Sequence, residues 1–171
     1  SINELHGYTD RFEINKYNLP EHHSIEDISS ITPDSLICKI IDLGNAEEFD
    51  VRSGYITGTI HIRCYRPPEN FSGNVFYVKS DIWTLGCLLY EMLFCEKLLD
   101  LNYSNKNSEY IESINETISN LDEIITPELE EINFKTNNER EYFYELLKNM
   151  LVISYDKRWS VNECLKSRLF N

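Results

Sequence analysis

Four short segments carry the side chains whose types and spacing could do chemistry. In Asp42-Leu43-Gly44 an aspartate follows an apolar run and precedes a glycine turn. A carboxylate so placed offers a hard oxygen to a divalent cation, though an aspartate at a turn serves equally well as a local cap. Tyr65-Arg66-Pro67-Pro68-Glu69 follows, then Ser80-Asp81-Ile82-Trp83-Thr84-Leu85-Gly86, and near the end Asp156-Lys157-Arg158. A fifth feature is acidic: residues 101–147 hold 11 acids against 3 bases, among them Glu109, Glu112 and Glu116. Spaced three and four apart, these three share one helix face, which is either simply solvated or a surface for a basic ligand. Five cysteines without a Cys-x-x-Cys pair or a histidine at ligand spacing argue for reduced thiols rather than a metal site.

The elements that would position these groups can be read from periodicity. Leu36 to Ile41 is a short apolar run bounded by Thr32-Pro33-Asp34 and Gly44, hence a buried strand. Residues 47–58 read as a loop, and Pro67-Pro68 should stop any regular element there. From Ser80 the pattern becomes helical, with Ser80 or Asp81 as N-cap and apolar residues around nearly the whole circumference through Leu93; such a helix must be buried on all sides. Tyr110, Ile111, Ile114 and Ile118 form the inner stripe of an amphipathic helix with Glu109, Glu112 and Glu116 outside. A further helix is expected from about Asn138 to Leu151. The last, Ser160 to Leu169, opens on a capping box of Ser160 and Glu163. Residues 1–35 have weak periodicity and read as a spacer or linker.

The chain of 171 residues carries a formal charge of −13 with 42% hydrophobic residues, so it has the material for a folded core. That charge argues against nucleic acid as main ligand, because phosphate backbones require Lys and Arg, and points to a basic partner. The longest apolar block, Ile82 to Phe94, is too short to span a bilayer and contains Glu91; no membrane segment or signal peptide is expected.

In this order and spacing the landmarks resemble the C-terminal lobe of a eukaryotic protein kinase: the Asp-Phe-Gly metal motif, the Ala-Pro-Glu closing the activation segment, the Asp-x-Trp-x-x-Gly of the central helix and the distal Arg. The finer likeness is to the SR-protein kinases, which phosphorylate Arg/Ser-repeat splicing factors. It rests on Lys39-Ile40-Ile41-Asp42-Leu43-Gly44-Asn45-Ala46, on Ile60-His61-Ile62-Arg63-Cys64-Tyr65-Arg66, on Asp81-Ile82-Trp83 and on Glu163-Cys164-Leu165. The resemblance covers about residues 36–170. It implies a mainly α fold, short β-strands around the metal motif followed by a helical base, with residues 36–171 as the lobe and no N-lobe in the chain.

The resemblance also assigns roles. Asp42 would hold Mg²⁺ bridging ATP phosphates, with Gly44 completing the turn. Arg63 and Arg66 would shape the substrate pocket, and Glu109, Glu112 and Glu116 would dock a basic Arg/Ser-rich protein. Glu69 and Arg158 would form a buried ion pair, Asp81 would bond the catalytic-loop backbone and Trp83 would anchor the central helix. The compartment implied is cytoplasm or nucleus.

Departures from the family pattern are equally specific. No Gly-x-Gly-x-x-Gly occurs, and Thr9-Asp10 with Asn15 matches the catalytic-loop spacing only by coincidence, since Tyr8 and Phe12 stand where His and Lys belong. No catalytic base is therefore assigned in this chain; the base, the nucleotide-binding Lys and the N-lobe are expected outside it. A chain beginning within the spacer that this group carries before the metal motif would look like this one. Three residues before Tyr65 the family has Thr, and here Ile62 stands instead. By themselves the 171 residues are expected not to transfer phosphoryl groups. A pseudokinase or truncated lobe acting as an acidic binding module is the alternative, and in either case part of the central helix should be left uncovered.

Overall fold

The computed structural model describes residues 39–49, 52–59, 61–99, 106–132 and 134–170. The expected spacer 1–35, with Thr9-Asp10 and Asn15, and the first half of the expected strand lie outside the described residues. The chain divides into two compact units, Ser1–Gly44 and Asn45–Asn171.

In the first unit, the expected buried strand does not form over 39–41. Lys39 to Asp42 have no regular structure, and Ile40 and Ile41 are 89% and 79% exposed. A short apolar run becomes a strand only when a neighbouring strand takes its hydrogen bonds and other layers cover its faces, and nothing among the described residues does so for this run. A 3-10 turn, Leu43–Asn45, follows directly.

The second unit is mainly α. Two-residue strands β1 (Ile56–Thr57) and β2 (Val75–Phe76) pair antiparallel, Ile56 opposite Phe76 and Thr57 opposite Val75. Between them lie a 3-10 turn at Arg63–Tyr65 and helix α1, Pro68–Gly73. Pro67-Pro68 thus opens a helix rather than forbidding one. Pro68 is its first residue, where the missing N–H had no partner to lose and the fixed φ suits the turn. Asn74 ends α1 in the left-handed region at φ 51°, a conformation asparagine tolerates.

Helix α2, Ser80–Phe94, is the centre of the unit. Its N-cap position is Lys79, not Ser80 or Asp81, and no side chain caps it. The Ser80 hydroxyl instead accepts the Tyr77 N–H (2.8 Å) and donates to Glu69 (2.7 Å), while Asp81 in the first turn complements the helix dipole. Ile82, Trp83, Cys87 and Tyr90 are buried, but Leu85, Leu88 and Met92 are 44%, 43% and 70% exposed. The last three, spaced three and four apart, form one exposed stripe along the helix, so it is not buried on all sides.

The acidic region folds as two helices, α3 (Asn107–Ser119) and α4 (Leu121–Glu131). The second places Leu121, Ile125 and Leu129 inward at one-turn intervals and keeps Pro127 on its exposed side. Helix α5, Asn137–Met150, starts on a capping box in which Glu139 N–H donates to Thr136 Oγ1 (3.1 Å) and Thr136 N–H to Glu139 Oε2 (3.2 Å). Its buried Leu146, Leu147 and Met150 pack against α2. The Ser160–Glu163 box opens α6, which spans only Val161–Leu165 rather than reaching Leu169. Val161, Leu165 and Phe170 face solvent, and the residues that turn inward, Cys164, Ser167 and Leu169, do so from the end of α6 and the turn after it.

Candidate functional site

The second unit gathers its charged landmarks along the segment from His61 to Glu69 and the two helices that frame it. Glu69, one residue into α1, meets Arg158 from the loop after α5. Arg158 Nη1 and Nη2 donate to Glu69 Oε1 and Oε2, each at 2.9 Å. Its remaining donors reach the carbonyls of Val152 (3.0 Å), Lys79 (2.9 Å) and Ile153 (3.3 Å). Arg158 is wholly buried, with its guanidinium carbon 5.3 Å from the Trp83 ring centre. Such a pair survives burial only because every lone pair and proton that matters is met.

Arg63 and Arg66 brace the same segment against its neighbours. Arg63 Nη2 donates to Asn107 Oδ1 (3.1 Å) at the start of α3, and its guanidinium carbon lies 3.9 Å from the Tyr110 ring centre. Tyr110 in turn stacks on Phe71 of α1 at 5.1 Å. Arg66 donates to the His61 carbonyl (2.8 Å) and covers the other aromatic, Phe71, at 5.4 Å. Arginine suits both places, because its flat cation stacks on a ring while its edge still donates.

Asp81 is largely exposed, and its Oδ1 stands 3.1 Å from His61 Nε2, with His61 in the left-handed region at φ 62°. Ile62 beside it is 58% exposed. Trp83 is fully buried, with the Arg158 guanidinium over its ring. Glu109, Glu112 and Glu116 are all exposed on α3. Glu109 also accepts the Lys106 backbone N–H (3.2 Å), so one of the three acids helps to cap the helix that displays them. The structure therefore brings Arg63 to the base of α3, and through Arg63 the loop before α1 is tied to the acidic helix.

Two groups that sequence reasoning did not assign belong to this arrangement. The Tyr65 hydroxyl donates to Glu91 Oε2 at 2.5 Å, and this bond, with burial second, pushes the tyrosine well above its ordinary pKa. Glu91 was marked only by being the one acid inside the apolar block from Ile82 to Phe94. Asn107 carried no signal, since its partner is reached across the fold.

Asp42 belongs to the first unit. It is exposed, has φ 59°, and its Oδ1 lies 3.6 Å from where a β-carbon on Gly44 would stand. Among the described residues no group of three or more His, Cys, Asp or Glu could hold a metal ion. A single open carboxylate still fits Mg²⁺, which asks one or two carboxylates of a protein and takes its other ligands from phosphates and water.

Comparison with known proteins agrees with this architecture. The model of the protein kinase domain matches residues 29–170. Cyclin-dependent kinase C-1 of Arabidopsis thaliana is 28% identical over 150 residues, covering 77% of this chain and 29% of its own. Mitogen-activated protein kinase pmk-3 of Caenorhabditis elegans is 26% identical over 166 residues, covering 80% of this chain and 33% of its own. Serine/threonine-protein kinase SKY1 of Saccharomyces cerevisiae is 34% identical over 99 residues, covering 56% of this chain and 13% of its own. The chain thus spans about a third or less of each relative. No helix among the described residues is long and apolar enough to cross a membrane. With the family match extending over most of its length, the chain belongs to the protein kinase domain family.

Proposed function

We propose that this chain is the metal-motif and substrate-docking half of a serine/threonine kinase of the SR-protein-kinase type. In the complete protein the reaction is transfer of the ATP γ-phosphoryl group to serines of Arg/Ser-rich proteins, including those that regulate splicing, in the cytoplasm or nucleus. The observation that carries this reading is the row of exposed carboxylates Glu109, Glu112 and Glu116 on α3, a helix held by Arg63 to the segment just before α1. A carboxylate row recognises a polycation by summed attraction, which is long-ranged and weakened by salt. The likeness to SKY1 supports the serine/threonine class.

In this reading Asp42 supplies the carboxylate for Mg²⁺ with the nucleotide phosphates, Arg66 lies beside the substrate pocket, and the general base, the nucleotide-binding Lys and the N-lobe come from outside the 171 residues. The chain alone does not turn over. Ile62, an exposed apolar residue where the family has Thr, favours a second reading in which the lobe binds basic proteins without catalysing transfer.

The test is fluorescence anisotropy of a labelled peptide of Arg-Ser repeats against the full chain. Replacing Glu109, Glu112 and Glu116 together by Gln should weaken binding at low salt about tenfold or more and flatten its salt dependence. Unchanged affinity and unchanged salt slope would remove the docking face. Joining the chain to its upstream coding region and assaying phosphate incorporation separates the catalytic reading from the binding-only one.

A further inference from the structure

Beside the acidic row, α1, β2, α3 and the loop at Ile153–Tyr155 enclose an open groove of about 470 Å³. Its volume is that of sites which accept small ligands or single anchoring side chains. Ile111 and Ile114 form one wall, Pro68 and Val75 another, and Tyr77 lies flat on Tyr155, ring centres 3.7 Å apart and 4° from parallel. The charge in the lining, Glu69, is already neutralised by Arg158 and bonded by Ser80. What remains to meet an occupant is chiefly apolar surface, with Ser72, Asn115 and Ser154 as polar points.

The lip of this groove has the opposite character. On α3, Glu112 sits one helical turn from Asn115, which lines the groove, and Glu116 follows Asn115 directly. Both acids are exposed. An occupant that satisfies walls and lip together presents one aliphatic or aromatic side chain flanked by positive charge. We propose that the groove is an anchor pocket for a basic peptide segment carrying such an apolar residue among its arginines. The proposal rests on the docking reading above and deepens it: the acids supply attraction, and the groove selects which basic segment is held.

Two labelled peptides test it on the full chain, one of Arg-Ser repeats and one with a central serine replaced by leucine. Burial of the leucine should tighten binding about tenfold. Asn115→Trp, at an exposed position whose indole would fill the groove, should abolish that gain. Ser72→Trp fills it from the opposite wall and should do the same. A leucine peptide that binds no tighter than the plain repeat overturns the proposal, as does a gain that survives both tryptophans. Self-association in sedimentation that Asn115→Trp dissolves also overturns it, since the occupant would then be a second copy of the chain. Failure of the acidic face shows differently, as insensitivity of both peptides to the triple Gln variant.

Discussion

Arg158 and Glu69 meet edge to edge, Nη1 to Oε1 and Nη2 to Oε2 both at 2.9 Å, across 89 residues of sequence. Three further bonds to backbone carbonyls use the rest of the guanidinium, so this one side chain joins α1, the start of α2 and the loop after α5. Arg158→Met should cost about 3–5 kcal/mol in urea unfolding, because the nearly buried Glu69 carboxylate is left without its counter-charge. The double variant Arg158→Met with Glu69→Leu should be less destabilised than Arg158→Met alone. Equal losses would mean that the stranded charge is not the cause.

Gly86→Ala should also destabilise, against the usual direction for a glycine in a helix. Alanine gains up to about 1 kcal/mol in helix propensity. A β-carbon here, however, would stand 3.0 Å from Leu151 Cδ2 and 3.2 Å from Met150 Cβ. Overpacking of that kind costs about 1–3 kcal/mol, so the net change should be a loss of about 1 kcal/mol by chemical denaturation. A gain in stability would show that α5 moves aside freely.

The close approach at Gly86 explains why some landmarks were legible in the sequence and others were not. Glu69, Trp83, Gly86 and Arg158 have types fixed by burial, charge pairing or close approach, so they stand out in order along the chain. Helices α3 and α5 were visible for the same reason: Tyr110 and Ile114, or Leu146, Leu147 and Met150, recur at helical spacing because they face a core, whereas α1 and α4 were not read from the sequence. Over its described residues 39–41 the expected strand did not form, because an apolar run records a tendency to be covered and does not supply the cover. Pro67-Pro68 misled because proline's meaning depends on whether a helix is being entered or interrupted. Contacts such as Arg63 with Asn107 and Tyr65 with Glu91 were invisible, since each depends on how separate elements are placed.

Acid should weaken the link between α4 and α5 through one carboxylate. Lys148 Nζ donates to both oxygens of Asp122 (2.8 and 2.9 Å), and Tyr144 donates to it as well. The Lys148 bond first, and the Tyr144 bond second, hold Asp122 below its ordinary 3.8. A carboxyl depressed by folding stabilises fully above its unfolded value, and that contribution fades as pH falls below 3.8 toward the folded one. The pair is solvent-exposed, so the effect is less than about 1 kcal/mol. Asp122→Asn should be slightly less stable than wild type at pH 7 and indistinguishable from it near pH 2; a constant difference across that range would exclude the ionised carboxylate as its source.

The thiols should separate sharply in reactivity. Cys95, at the left-handed end of α2, is exposed, whereas Cys87 is buried between α2 and the core, and burial pushes its thiol up to about 12. Only the thiolate attacks an alkylating agent, so at pH 8 iodoacetamide should label Cys95 quickly and leave Cys87 untouched until the chain unfolds. A thiol raised by folding stabilises fully below its unfolded value near 9 and loses that contribution as pH rises from there through 12. The same burial that protects Cys87 therefore makes the fold sensitive to alkali. Cys87→Ala, though costlier at neutral pH for its small cavity, should lose less further stability than wild type between pH 9 and 11. Mass-spectrometric labelling of Cys87 at the rate of Cys95, or parallel alkaline losses in the two proteins, would show that the thiol is not held neutral by the core.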